Sequence, residues 1–308
     1  MQIFVTGATG VIGTRVIPQL VAAGHAVTAA TRSAEKGHAL RQLGVRIVAL
    51  DLFDALAVRD AVQGHDTVIN LATHMPASAM RMMWRSAWRE NDRVRKEGSR
   101  ILVDAALAAG VNRFIQESFG LIYEGAGDQW ISERHPVSPA PYNETTLDAE
   151  RAALRFAESG ATGIVLRFAG LYGPDAMARD LINMVKWGWS PLPGSPDAYY
   201  SSVTQHDAAT AVVAALGVPS GTYNVVDDEP LPRRDWVNAV AAAVGAKPPK
   251  FAPAWTARFM GAVGELMSRS ERISNRKLRE ASGWKPAFPS AREGWRAVVA
   301  ELGRAHAR

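Results

Sequence analysis

Three glycines spaced three apart in "TGATGVIG", Gly7, Gly10 and Gly13, are the first residues of this 308-residue chain whose type and spacing could do chemistry. They stand between the β-rich apolar run "QIFVT" and the helical run "TRVIPQLVAAG". Glycine permits a tight turn and lets backbone amides approach an anion, while the amino end of the following helix favours negative charge. The pattern G-x-x-G-x-x-G differs by one residue from the better-known dinucleotide fingerprint, and the same mechanics apply. A pyrophosphate is expected against Thr6, Gly7, Thr9, Gly10, Val11, Ile12 and Gly13.

The end of the second β run sharpens this. A site that prefers NAD offers an acidic side chain there to the ribose 2′-hydroxyl. This run ends "AATRS", where Arg32 pairs instead with a 2′-phosphate through charge-assisted bonds, with Thr31, Ser33 and Lys36 as helpers. NADP is therefore expected in preference to NAD. In "VALDLFD", Asp51 is placed to accept from the adenine amino group beside the Leu52 backbone; a helix N-cap or loop aspartate is the equal alternative. Leu71, Ala72 and Thr73 in "NLATH" would line the cofactor's ribose. Ser33 to Lys36 also fits S-x-x-K, a serine-hydrolase pattern, but its partner motifs are missing and the match is coincidental.

The elements that must position these residues alternate along the first half of the chain. After the opening strand and helix come "HAVTAATR" as strand, "SAEKGHALRQLG" as helix, "VRIVALDL" as strand, "FDALAVRDAVQG" as helix and "DTVINLAT" as strand. Then follow helix "EGSRILVDAALAAG", strand "VNRFIQES", helix "LDAERAALRFAESG" and strand "TGIVLRFA". Valine- and isoleucine-rich strands, each followed by an amphipathic helix, imply an α/β fold: a doubly wound, Rossmann-like parallel sheet covered on both faces. Glycine, proline and tryptophan rise after about residue 172. The expected organisation is a dinucleotide-binding domain over 1–172 and a smaller α/β substrate portion over 173–308, with residues near 200–228 packing back on the first.

Apolar residues make up 47% and charged residues 21%, as in ordinary globular proteins. With no cysteine, disulfides, thiolate metal sites and cysteine nucleophiles drop out together, in keeping with a reducing compartment. The amino terminus shows no export signal, and a cytoplasmic location is expected. The most apolar stretch, "APAWTARFMGAVGELM", is short and interrupted by Arg258 and Glu265, so no membrane association is expected. The net charge of +5 is modest, and Arg81, Arg85, Arg89 and Arg93 read as a solvated helix face with no nucleic-acid motif beside it. The seven histidines form no metal-ligand spacing, so no metal is expected.

Taken together, the motifs resemble the extended or atypical short-chain dehydrogenase/reductases, the group that includes NAD-dependent epimerases and dehydratases. "TGATGVIG", "LDLFD", "NLAT", Asn91 before a helix, "FIQESFGLIY", "YNETTLDAE", "VLRFAGLYGP", "YNVVDDEP" and "SGWKPAF" carry the resemblance over essentially the whole chain. It implies hydride transfer at the carboxyl edge of the sheet, with Asn91 near the cofactor. The family's proton machinery is a tyrosine acid/base, a lysine that lowers its pKa and holds the nicotinamide ribose, and a serine or threonine that orients the substrate oxygen. Tyr142 falls on the tyrosine, Thr146 on the lysine and Phe119 on the serine or threonine, with Ser118 just before it and the unusual Glu117 in the same segment. Free tyrosine has a pKa near 10, and without a neighbouring cation it is a poor base. A phenol already protonated at neutral pH still serves reduction.

These residues lead to an NADPH-dependent reductase of a small carbonyl, imine or alkene, with Tyr142 as proton donor, Ser118 or Glu117 assisting and Thr146 at the ribose. The alternatives are a nonredox NADP-binding sensor or scaffold, and a nonredox isomerase or cyclase using Glu117 and Tyr142. Met82, Met83, Trp84 and Trp88 would line an apolar or aromatic small-molecule pocket or simply pack a helix, and His74 and His206 are candidate polar contacts. The resemblance also implies a homodimer through helices near residues 91–109 and 144–159.

Overall fold

Ile3, Phe4 and Val5 have no exposed surface, because β1 (Gln2–Thr6) lies inside a parallel sheet covered on both faces. The computed structural model describes residues 1–32, 35, 37–76, 79–82 and 84–306. Ser33, Lys36 and Met83 lie outside the described residues. After β1 come β2 (Ala26–Thr31), β3 (Arg46–Ala49), β4 (Thr67–Asn70), β5 (Arg113–Phe119), β6 (Thr162–Phe168) and β7 (Gly221–Val225). They form a seven-stranded sheet in the order β7-β6-β5-β4-β1-β2-β3, with every pairing parallel. The winding direction reverses between β1 and β4. Loops leaving the carboxyl ends of those strands diverge there, which is where a doubly wound sheet takes its ligand.

The two faces are covered by different helices. On one, α1 (Gly13–Ala22) and the helix Gln205–Ala214 bury Ile17, Leu20, Ala208 and Val212 against Ile3, Val5, Ile69 and Ile115. On the other, α2 (Ala55–Val62), α3 (Ser99–Ala108) and α4 (Thr146–Glu158) bury Val58, Leu102 and Phe156 against Phe4, Val68 and Phe114. Alternation along each strand sends successive side chains to opposite layers. β7 comes from the later half of the chain and pairs with β6, so that half completes the first sheet.

A third core holds the remainder together. Tyr172 stacks on Trp295 with centroids 5.0 Å apart, and Trp236 meets both rings edge-on. Three short strand pairs join this part to the sheet edge: Gly170–Tyr172 with Ser202–Thr204, Tyr199–Tyr200 with Leu231–Pro232, and Trp130–Ile131 with Arg272–Ile273. Among the described residues no helix is long and apolar enough to cross a membrane.

Several expected helices come out shorter or broken. Among the described residues of "SAEKGHALRQLG" the α-helix covers His38–Arg41, and Gly44 turns the chain beyond it with a φ of 78°. The four arginines at 81, 85, 89 and 93 share no continuous α-helix. Ala79–Met82 is α-helical, Arg85–Trp88 is a 3₁₀ turn and Arg89–Arg93 is α-helical again. From there the chain passes through a π-helical turn, Val94–Gly98, into α3.

Candidate active site

At the switch point the glycine turn is pressed against backbone from both sides. Gly7 has a φ of 66°, and a Cβ there would lie 2.3 Å from the Leu71 carbonyl oxygen. A Cβ on Gly13 would lie 2.4 Å from the Gly7 carbonyl oxygen. Side chains at these positions would force the turn open, so both glycines are required for close packing. Thr9, Gly10 and Val11 are exposed on the rim, while Ile12 is buried beneath it. This cradle, with its exposed rim at the start of α1, fits a dinucleotide's pyrophosphate.

A buried polar network that the sequence pattern did not reveal fixes the neighbouring strand ends. Thr6 Oγ1 donates to Asn70 Oδ1 at 2.5 Å, and Asn70 Nδ2 donates to Gln116 Oε1 at 2.9 Å and Ser99 Oγ at 3.2 Å. The Ala72 amide donates back to Asn70 Oδ1, which shapes the Leu71, Ala72 and Thr73 loop. Buried amides satisfied this way lock β1, β4, β5 and α3 in register. Leu71 is buried, Ala72 half-buried and Thr73 exposed.

Around the adenosine side, Thr31 is buried and Arg32 exposed at the end of β2. Asp51 is exposed and its Oδ1 accepts from the Phe53 amide at 3.0 Å, a local turn, while Leu52 is half-buried. The helix cap belongs to Asp54, whose carboxylate accepts from the Leu56 and Ala57 amides. Asn91 is buried, and its Oδ1 accepts from the His74 amide at 2.9 Å, tying the loop after β4 to the helix that follows. His206 lies elsewhere, edge-on to Phe288.

At the end of β5 three consecutive residues face different surroundings. Ser118 is fully buried, and its Oγ donates to Glu150 Oε1 at 2.5 Å. Glu150 also accepts from Arg167 Nε at 2.8 Å and Nη2 at 2.7 Å, while Arg167 Nη1 donates to the Tyr123 hydroxyl, which donates to Asn224. The Glu150 carboxylate holds the Arg167 guanidinium charged despite its burial. Phe119, by contrast, joins an apolar cluster with Trp88, Ala140, Tyr142, Leu266 and Met82.

That cluster encloses Tyr142. Only 7% of the residue is exposed, and Trp88 lies against its ring at 4.7 Å between centroids, tilted by 42°. Trp88 is held by an Nε1 bond to the Met82 carbonyl at 2.8 Å, and Arg85 reaches the Pro141 carbonyl. Trp84 is exposed to solvent. Among the described residues the Tyr142 hydroxyl has no hydrogen-bond partner. Burial pushes its phenol well above the ordinary value of 10, with Arg269 opposing and Glu271 adding. Tyr142 is therefore protonated at any physiological pH.

Thr146, at the first position of α4, is also fully buried, and its Oγ1 accepts from Arg95 Nη1 at 3.1 Å. Arg95 comes from the π-helical turn and was missed from sequence; its only signal is a position one turn beyond Asn91. Its Nη2 donates to both oxygens of Glu117, at 3.1 and 3.2 Å. Burial raises the Glu117 carboxyl above its usual range, and Arg95 opposes that shift.

The chain matches the NAD(P)H-binding family over residues 7–219. It is 34% identical to a 3-diazoavenalumate denitrifying reductase of a Streptomyces species, over 96% of this chain and 99% of the relative. It is 27% identical to dTDP-4-dehydrorhamnose reductase of Streptomyces griseus, over 96% and 91%. Among solved structures, MoeE5 in complex with UDP-glucuronic acid and NAD superposes with a TM-score of 0.78 at 26% identity, covering 99% of this chain and all of that one. The UDP-glucose 4-epimerase of Thermus thermophilus in complex with NAD gives 0.80 at 25%, with 99% and 100% covered.

The chain belongs to the extended short-chain dehydrogenase/reductase family. As a member it is an NAD(P)-binding oxidoreductase. In this short-chain dehydrogenase/reductase the glycine turn is closely packed at the switch point of the sheet, and the positions that the resemblance assigns to proton chemistry have the following surroundings. An apolar ring stands at Phe119, Tyr142 is enclosed by aromatic and apolar groups, and the uncharged Thr146 is bonded to an arginine from another element.

Proposed function

We propose that this chain is an NADPH-dependent reductase of a flat aromatic compound whose acceptor atom takes a hydride without needing a proton from the enzyme, with an aryl diazo group as the favoured acceptor. The observation that carries the reading is the surroundings of Tyr142: aromatic and apolar neighbours, no hydrogen-bond partner among the described residues, and a phenol far above neutral pH. General acid catalysis works best when the acid's pKa lies near the working pH, and this group is far from it. A carbonyl oxygen becoming an alkoxide would require that proton. An arenediazonium does not: when bound, the reduced nicotinamide supplies a hydride, and Ar–N₂⁺ plus hydride gives Ar–N=NH, which loses N₂ to leave Ar–H.

The likeness to a denitrifying reductase of a diazo compound supports the same reading. Trp88, Tyr142 and the half-buried Phe119 make this cluster rich in aromatic rings, a type of group that attracts a flat cation. Arg32, exposed at the end of β2 with no acidic residue in its place, supports NADPH over NADH. Gly7, Gly10 and Gly13 would hold the pyrophosphate, and Asn91 the loop after β4 beside it.

Reduction of an aryl ketone is the second reading, favoured because a permanently protonated Tyr142 can donate a hydrogen bond to a carbonyl oxygen. A panel of arenediazonium salts and matched aryl ketones, followed by NADPH absorbance and N₂ release against enzyme-free controls, decides. One N₂ and one arene per NADPH is expected. Turnover of ketones alone selects the second reading, and conversion with no net NADPH consumption would sink both.

A further inference from the structure

Thr146 stands where the resemblance expects a lysine, and a buried pair of opposite charges, Arg95 and Glu117, lies against it. Glu117 lies two residues before the end of β5, and Arg95 grips both its carboxylate oxygens while reaching Thr146 Oγ1 with the other terminal nitrogen. The guanidinium is the deeper partner: 4% of the Arg95 side chain is exposed against 13% of Glu117. Glu117 therefore keeps the larger solvent-reachable share of the pair. Gln116 Nε2 donates to the Glu117 carbonyl at 2.8 Å, which ties this strand end to the Asn70 network under the cofactor loop.

The π-helical turn explains how an arginine reaches this spot. Widening the helix by one residue over Val94–Gly98 buries Arg95, while Arg93 and Lys96 on either side are less enclosed. Such turns recur at functional sites. A buried charge is costly to retain, and an apolar pair of equal volume serves stability as well or better. A carboxylate has about four lone-pair sites, and Arg95 takes two, so acceptor capacity is left over. Carboxylates at strand ends hold ribose hydroxyls elsewhere in this type of fold.

We propose that Glu117, clamped by Arg95, anchors the nicotinamide ribose in this chain, accepting from its hydroxyls where the family's lysine would donate to them. Arg95 is then a positioning residue. Because the two charges cancel, the pair holds the sugar without making Tyr142 acidic. The assignment rests on the chain binding NADPH with its nicotinamide at this edge, as proposed above.

The test is calorimetric and needs no substrate. The full chain is titrated with NADPH and, separately, with 2′,5′-ADP, which carries the adenosine half but no nicotinamide ribose. Glu117→Gln is expected to weaken NADPH by about ten-fold or more, the scale of a hydrogen bond to a charged group, and to leave 2′,5′-ADP unchanged. Should unpaired Arg95 unfold that variant, the double variant Glu117→Leu with Arg95→Met replaces the ion pair by apolar groups and predicts the same selective loss. Equal weakening of both ligands, or weakening of neither, overturns the proposal and leaves the pair a purely structural one. Absence of NADPH binding to the unsubstituted chain overturns the cofactor reading as well.

Discussion

Trp88 and Tyr142 lie ring against ring, 4.7 Å between centroids, in the apolar cluster beside the end of β5. The contact joins a 3₁₀ turn to the loop before α4 and brings Phe119 and Leu266 in around the phenol. Burial raises the phenol's pKa, and Arg269 opposes that rise. The result is a weak acid in a site built for hydride chemistry.

If the acceptor needs no enzyme proton, Tyr142→Phe removes only a hydroxyl. Turnover should fall much less than the roughly 100-fold or more lost with a working general acid. Steady-state kcat and kcat/KM from pH 6 to 9 check this. The profile should be the same shape in both proteins, because burial holds Tyr142 neutral throughout that range.

Ser118 and Arg167 separate structure from chemistry at the next position. Ser118→Ala deletes one donor to Glu150 and should cost about 1 kcal/mol while leaving turnover intact. Arg167→Met strands the buried Glu150 carboxylate and should cost about 3–5 kcal/mol. Denaturant unfolding of both variants, with rates measured on the folded fraction, tests the pair. A large rate loss from Ser118→Ala without a stability loss would place its hydroxyl in catalysis.

Arg32→Glu replaces a group suited to a 2′-phosphate with one suited to a 2′-hydroxyl. The expected outcome is a reversal of preference from NADPH to NADH, by about ten-fold or more if a charge-assisted bond is lost. Titration with each cofactor reads it directly. An unchanged ratio would remove Arg32 from the cofactor site.

Alkaline stability follows from the buried phenols, of which Tyr123 and Tyr200 are two. Burial pushes both Tyr123 and Tyr200 up to about 12, against 10 when unfolded. The unfolded chain then releases its protons first, so the contribution is fully present below pH 10 and is lost as pH rises toward 12. Each tyrosine should cost roughly 1 kcal/mol by pH 11. Urea unfolding at pH 9 and pH 11 measures the sum, and Tyr200→Phe should reduce the difference.

Sequence alone determined the doubly wound sheet and the cofactor cradle. Alternating β and amphipathic runs, with glycines between the first strand and helix, are local patterns, and local patterns survive in one dimension. For Tyr142, Thr146 and Phe119 the resemblance implied that the family's lysine and serine or threonine are replaced.

Only the tertiary structure decided what replaced them. Arg95, Glu117 and Thr146 come from a π-helical turn, a strand end and a helix start, and they meet because the sheet brings those elements together. Nothing in their spacing records that meeting. Likewise, Asn70, Gln116 and Ser99 form one network across β4, β5 and α3, and Ser118 is drawn to Glu150 and away from the cleft by strand alternation. Side-chain spacing fixes which residues share an element, whereas burial fixes the partners each charge must find, and burial exists only once the layers have packed.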